Sequence, residues 1–286
     1  MAGVLTFLTD FGTADGYAAA LVGAAWRVDP SLQVTTLTHD IPAGDIAAGS
    51  YWLAALAPTF PEGTVHCAVV DPGVGTQRAL VAAEVDGQRV VCPDNGLLHH
   101  LWLRGRQRRA MHIAAERFRP ARLSHTFHGR DLMAPLAARL AGGGLRLEEL
   151  GPAVAAPAFL GSLHDRGDTA GTEAHVLVVD HFGNVILSVT RTGWYQPVPV
   201  AATLPSGARV NSVVDTYGEI DGGCALLWNS ADHLEIAGRG VSAAELTGAR
   251  VGDPVRVEWQ AGAPAPVRAL PVPRPGAAPV VVPGRP

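Results

Sequence analysis

The stretch "DPGVGTQR" (71–78) places an aspartate seven residues ahead of an arginine across a glycine-containing turn. It is not a Walker loop, which closes on Lys-Ser/Thr, nor a dinucleotide fingerprint, whose glycines open a helix. Gly73 and Gly75 lead instead into the strand-like "ALVAAEV". Asp10 ends an earlier strand-like run, "VLTFLTD", and Asp71 ends "TVHCAVVD". Carboxylates at the C-terminal ends of strands face the ligand crevice of an open α/β sheet, although an aspartate before a turn can also serve as a cap. Three further clusters set acids, amides or a histidine beside a glycine: "PDNG" (93–96), "TFHGRD" (126–131) and "DHFGN" (180–184). Side chains of these types do general acid–base work, and His128 can equally be a packing residue. The adjacent pair His99-His100 is expected to point to different helix faces and to make no site. No H-E-x-x-H or C-x₂-C spacing occurs, so no metal is expected.

The elements that must carry these residues alternate β-rich runs with helical patterns through residue 140 or so, the pattern of an α/β sheet. "DGYAAALVGAAWRVDP" reads as a helix capped by Asp15, and "GDIAAGSYWLAALAPTF" as a second helix. "LVAAEVDGQRVVCP" reads as a hairpin turning at Asp86-Gly87. "GRDLMAPLAARLAGG" reads as a helix ended by glycines. Residues 151–172, rich in Ala, Pro, Gly and Asp, are expected to connect this 1–150 domain to a second one. There "AHVLVVDHFGNVILSVTR", "ARVNSVVDTYG", "CALLWNS", "HLEIAG" and "PVRVEWQ" read as strands of a small all-β barrel over 173–260. The Pro/Ala-rich 261–286 reads as a disordered tail.

The chain of 286 residues is 48% hydrophobic and carries a net charge of −4, with ample core and no basic footprint for nucleic acid. All 22 basic residues are arginine, which excludes Schiff-base chemistry and a P-loop lysine. Cys67, Cys92 and Cys224 are expected to be reduced. No apolar run reaches spanning length and "MAGVLTFLTDF" lacks a basic leader, so the expectation is a cytoplasmic protein without membrane contact.

Taken in order, "LTDFGTADGY", "FPEGTVHCAVVDPGVGT", "CPDNGLL", "TFHGRD", "DHFGNV" and "NSADHLEIA" resemble the S-adenosyl-L-methionine (SAM) hydroxide adenosyltransferases, relatives of the fluorinating and chlorinating enzymes that act on the same molecule. The resemblance runs from about residue 4 to 259. It implies an N-terminal α/β domain, a C-terminal β-barrel and a homotrimer whose sites lie between the N-domain of one subunit and the C-domain of its neighbour. It also implies a reaction in which water or hydroxide displaces methionine from the ribose C5′ carbon, with SAM as substrate and no cofactor. By resemblance, Asp71, Arg78 and His128 hold and activate the water, and Asp10 binds the ribose hydroxyls. Asp180 then binds the methionine ammonium, Asn184 reads adenine, Tyr217 stacks on it, Ser230 holds the carboxylate, and the Gly238–Gly240 backbone follows the adenine edge.

The Asp/Arg/His set resembles the hydrolase branch; the fluorinating branch carries a tyrosine in place of Asp71, Tyr-Ser in place of His128-Gly129, and a long insertion in the 80–92 hairpin. The alternatives are a chlorinase-like halogenase and a non-catalytic SAM or adenosine binding module. Three departures stand out: Gly44 replaces an aromatic wall, Ala231-Asp232 brings an acid near the expected carboxylate site, and Arg239 stands within the adenine-edge segment.

Overall fold

The computed structural model describes residues 3–160, 166–167, 171–191 and 198–260. The first region runs β1 (Val4–Thr9), α1 (Tyr17–Trp26), β2 (Gln33–Thr38), α2 (Ile46–Leu56), β3 (Val65–Val69), β4 (Leu80–Val85), β5 (Gln88–Pro93), α3 (His99–Arg104), β6 (Arg108–His112), α4 (Ala134–Ala141) and β7 (Ala153–Val154). Its sheet has the order β2-β1-β3-β5-β4-β6-β7. The first four strands are parallel, and β4, β6 and β7 extend the sheet by antiparallel pairing. β3 is buried at every position, as a strand covered on both faces requires. β1 divides its side chains between two cores. Leu5 and Phe7 pack with Leu21 of α1 and Leu136 of α4, while Leu8 turns to Tyr51 and Leu53 of α2.

The helix starts differ from one another. Asp45 caps α2, accepting a bond from the Ala48 N–H at 2.9 Å. The cap expected for α1 at Asp15 is not made: Gly16 takes the N-cap position with no side-chain bond. The β4–β5 hairpin turns at Asp86 (φ +46°) and Gly87 (φ +82°), the left-handed pair of a type I′ turn. The helix expected from Gly129 begins as a π turn over Gly129–Met133 before α4. Within 151–172, expected as connection only, β7 joins the sheet by pairing Ala153 and Val154 with Met111 and Ala110. Residues 161–165, 168–170 and the 261–286 tail lie outside the described residues.

The second region contains β8 (Arg166–Gly167), β9 (Gly171–Val179), β10 (Val185–Thr190), β11 (Pro199–Thr203), β12 (Arg209–Val210), β13 (Cys224–Trp228), β14 (His233–Gly238), α5 (Ala243–Thr247) and β15 (Pro254–Trp259). The strands pair antiparallel in the order β12-β11-β15-β9-β10-β14-β13, with β8 beside β9. The chain just beyond β12 brings the two ends together. The Leu226 N–H donates to the Ser212 carbonyl at 2.8 Å, and the Val214 N–H donates to the Leu226 carbonyl at 3.0 Å. The result is a nearly closed barrel around Val176, Leu187, Leu226, Ile236 and Val257.

The run "ARVNSVVDTYG", expected as one strand, leaves the sheet after Val210 and crosses the outer face of β13 and β14. Val214 and Ile220 pack there on Ala225, Leu227 and Ala237, a second apolar surface that a regular strand could not reach. The two regions also share a core: Leu177, Val178, Ile186 and Ala231 belong to the same cluster as Ile41, Tyr51 and Leu53.

Candidate active site

Asp10 and Asp71 leave neighbouring strands at the same edge, because β1 and β3 pair in parallel with Thr9 opposite Val69. The turn after Asp71 folds back so that Arg78 meets it. Arg78 Nε donates to both carboxylate oxygens at 2.8 Å, and Nη2 donates to Oδ2. The pair is shielded, with the Arg78 side chain 12% and the Asp71 side chain 5% exposed. Ionised, fork-shaped pairs of this kind are short and direction-specific. Arg78 Nη2 also lies 3.1 Å from His128 Nδ1, closing a set drawn from two segments fifty positions apart. A guanidinium has only donors, so Nδ1 accepts and the neutral imidazole carries its proton on Nε2. Burial, and then the Arg78 charge, push the His128 pKa below its ordinary value.

The glycines around this set act unequally. Gly75 (φ +81°) is required twice, by its left-handed backbone and because a Cβ would sit 2.6 Å from the His125 carbonyl oxygen. Gly129 is tightly packed: a Cβ there would stand 3.3 Å from Val69 Cγ1. At Gly73 the nearest atom is 3.6 Å away, ordinary contact, so the expected close approach is absent there. The "PDNG" cluster is scaffolding: Asn95 Nδ2 donates to the Val70 carbonyl at 2.9 Å, fixing the strand end before Asp71. Asp10 Oδ2 accepts the Gly44 N–H at 2.8 Å, so the residue that replaces an aromatic wall holds the carboxylate through its backbone.

The barrel offers a separate, open groove of about 640 Å³, lined by Asp180, Asn184, Tyr217, Gly238, Gly240 and neighbours, with Phe182 on its lip. Asp180 organises the β9–β10 turn. Its Oδ1 accepts the N–H groups of Phe182 and Asn184 at 2.9 Å, and its Oδ2 accepts from Asn184 Nδ2 at 3.0 Å. Asn184 is buried, and its Oδ1 accepts the Gly238 N–H at 3.2 Å. Both side chains that resemblance gives to the substrate are thus part of the groove's frame; Asp180 keeps one acceptor position, and Asn184 keeps one N–H and one oxygen lone pair. Tyr217 is 48% exposed along the groove and donates its hydroxyl to Glu235 Oε1 at 3.0 Å. Ser230 is exposed in the β13–β14 turn, at the opposite end of β14 from Gly238 and outside the groove lining. Asp232, the acid expected to disturb that end, is paired with Arg191 at 2.8 Å and Arg104 at 3.3 Å, and Ala231 is buried in the shared core. Arg239 points its Nη1 to the Gly218 carbonyl at 2.9 Å.

Residues 5–151 match the SAM hydroxide adenosyltransferase N-terminal domain and residues 174–256 the corresponding C-terminal domain. The chain belongs to the SAM hydroxide adenosyltransferase family. Within it, the chain is 40% identical over 258 residues to an (R)-S-adenosyl-L-methionine hydrolase of Salinispora tropica, covering 88% of this chain and 97% of that protein. A protein of the same name from Thermus thermophilus is 39% identical over 88% of this chain and 98% of its own length. A fluorinase of Nocardia brasiliensis is 25% identical over 89% of this chain and 96% of its own. Among solved structures, an uncharacterized conserved protein from Thermotoga maritima superposes with a TM-score of 0.77 at 27% identity, covering 88% of this chain and 99% of that one. A conserved hypothetical protein from Thermus thermophilus gives 0.71 at 38% identity, covering 90% and 100%.

For a member of this family, two groups escaped the sequence reading. Glu235 sits in the middle of "HLEIAG", where alternation gives a polar face that reads as solvent-exposed; the face is covered instead. The histidines expected to point apart, His99 and His100, are both buried with rings 4.9 Å apart. His100 reaches His233 of the barrel at 5.5 Å between ring centroids, so the pair belongs to the contact between the two regions. Among the described residues no group of three or more His, Cys, Asp or Glu could hold a metal ion, and no helix is long and apolar enough to cross a membrane.

Proposed function

We propose that this chain hydrolyses S-adenosyl-L-methionine to adenosine and L-methionine by attack of water on the ribose C5′ carbon. The names of its relatives specify the R configuration at sulfur, and we take that epimer as the substrate. The observation that carries the reading is the shielded Asp71–Arg78 fork with His128 on its free side. A sulfonium leaves without an acid, so the difficulty lies in the nucleophile. The water oxygen forms the new bond to C5′, and the C5′–S electron pair goes to sulfur, leaving neutral methionine. Arg78 stabilises hydroxide character. With Nε2 protonated, His128 donates to the water oxygen, which leaves Asp71 as the anion that takes the proton. Holding the water in line with the departing sulfur is a positioning effect worth up to about 7–11 kcal/mol at ideal geometry.

Asp10 is proposed to bind the ribose hydroxyls through its second oxygen, Tyr217 to stack on adenine, and the spare capacities of Asn184 and Asp180, with Gly238, Gly240 and Ser230, to hold the remaining polar groups. The reaction as written needs no cofactor or metal. We further propose a homotrimer in the cytoplasm, its domains divided near 151–172, with each site joining the cluster of one copy to the groove of the next. Phe182, 76% exposed, and Tyr17, 54% exposed, are the apolar side chains such a contact would cover. Nucleic acid is not among the proposed partners.

The test is product analysis in ¹⁸O-water with each sulfur epimer, in the presence of chloride. The expected result is adenosine labelled at its 5′ oxygen, formed faster from the R epimer. Unlabelled adenosine, or 5′-chloroadenosine as the main nucleoside, would rule the reading out.

A further inference from the structure

Glu235 lies at the centre of β14 and is 2% exposed. Strand alternation places it with His233 and Ala237 on the outer face of the barrel, opposite the Leu234 and Ile236 core. The segment that leaves β12 runs over this face as a strap. Val214 and Ile220 anchor its two ends on apolar residues, while Asp215 to Glu219 between them are exposed. Tyr217 stands in that exposed middle. Its hydroxyl bond to Glu235 is the tie between its ring and the buried barrel face. The neighbouring ties hold backbone or stay within the strap: Arg239 to the Gly218 carbonyl, and Glu219 to the Asp215 N–H and the Thr216 hydroxyl.

Glu235 is itself held from behind. The Asn229 amide is a polar neighbour that favours its charged form, and Asn229 Nδ2 donates to Tyr51 Oη at 3.2 Å. Asn229 is oriented by the backbone, since its Oδ1 accepts the N–H groups of Ala231 and His233 at 3.0 Å. A buried line therefore connects Tyr217 at the groove, through Glu235 and Asn229, to Tyr51 of α2, which is 4% exposed. Burial pushes the Glu235 carboxyl pKa upward. A carboxyl in such a place is costly unless its bonds are made, and here the hydroxyl of one exposed ring supplies one of them.

We propose that Glu235 is a positioning residue of the substrate groove, fixing the plane of the Tyr217 ring so that a purine can stack on it. The proposal rests on the reading that this groove takes the adenosyl group. A tyrosine on an exposed, glycine-flanked turn would otherwise sample several rotamers, and ordering it on binding would cost affinity.

The experiment compares Glu235→Ala, Glu235→Gln, Tyr217→Phe and the Glu235→Ala/Tyr217→Phe double variant in the full-length protein. Steady-state kinetics with (R)-S-adenosyl-L-methionine are paired with calorimetric binding of adenosine. Glu235→Ala and Tyr217→Phe should each raise KM and the adenosine Kd about tenfold, with kcat within about twofold. The double variant should be no worse than either single one, because both remove the same bond. Glu235→Gln, which keeps an acceptor for the hydroxyl, should stay within about threefold of the unaltered protein. Multiplicative losses in the double variant, or a fall in kcat at constant KM, would overturn the proposal. If thermal melting shows that Glu235→Ala does not fold, Tyr217→Phe decides: adenosine affinity within twofold of the unaltered protein overturns it. A protein that binds adenosine yet forms none from either epimer would refute the hydrolase reading and leave the Glu235 comparison readable.

Discussion

The sheet-edge cluster and the barrel groove hold polar residues in opposite ways. At the sheet edge, Asp71 and Arg78 of one turn and His128 of a segment fifty positions on bond through their side chains, with Arg78 between the other two. In the groove, Asp180 and Asn184 are four positions apart and bond mainly to backbone N–H groups of their own turn and of Gly238. The first arrangement concentrates charge at a point, as activation of a nucleophile requires. The second builds a surface, and recognition falls to what the frame leaves over: a lone pair on each of Asp180 and Asn184, one Asn184 N–H, and a ring. Reactivity and recognition therefore answer to different substitutions.

The largest expected effect separates them. Arg78→Ala should lower kcat by about 10³-fold while KM changes by only a few-fold, since the guanidinium acts on charge that develops during the reaction. Arg78→Lys should recover little, because an ammonium cannot make the fork to Asp71. A tenfold rise in KM at normal kcat would erase the contrast between the two regions. Asn184→Ala should do the reverse. KM should rise by about tenfold or more, and because two framework bonds are lost, stability should fall by about 1–3 kcal/mol. If the two regions act together only across copies, mixed assemblies of these two variants should contain sites with both the kcat and the KM of the unaltered protein, a combination that neither variant shows alone.

How much of this was legible in the sequence follows the same division. The strand ends at Asp10 and Asp71, the Asp86-Gly87 hairpin and the α/β-then-barrel order could be read because each has a local signal: period, cap or turn chemistry. The Asp71, Arg78 and His128 set could be named from motifs, but the protonation pattern of His128 required the 3.1 Å contact with Arg78. The framework bonds of Asp180 and Asn184 were invisible, since the same letters describe a ligand and a turn. Asp232 read as a repulsive acid because its partners, Arg104 and Arg191, lie 128 and 41 positions away. Strand propensity in "ARVNSVV" was overridden by packing of the strap on β13 and β14. Glu235 was missed because alternation cannot tell a covered polar face from a wet one.

Two smaller effects sharpen the picture. Burial lowers the His66 and His233 pKa values from 6.5 to about 4. Between those limits the unfolded chain binds more protons than the folded one, so stability rises with pH there. The melting temperature should accordingly fall as pH drops from about 6.5 toward 4, checked by calorimetry across that window; a flat profile would mean these rings are solvated. The smallest effect belongs to Asp232→Ala, which should leave KM within about twofold because its carboxylate is already paired away from the groove. A tenfold gain in affinity would show that it does repel the substrate.

The core shared between the sheet and the barrel restricts how such a protein can be rearranged. Leu177, Val178, Ile186 and Ala231 complete a cluster with Ile41, Tyr51 and Leu53, and His233 meets Tyr51 at 4.9 Å between ring centroids. Neither half carries a finished surface on that side. A barrel transplanted alone from one relative to another would arrive with a bare apolar face and a buried imidazole seeking its former neighbours. Recombination within such a lineage is therefore constrained to exchange both halves together, or to trade only what lies on the groove side of the strap.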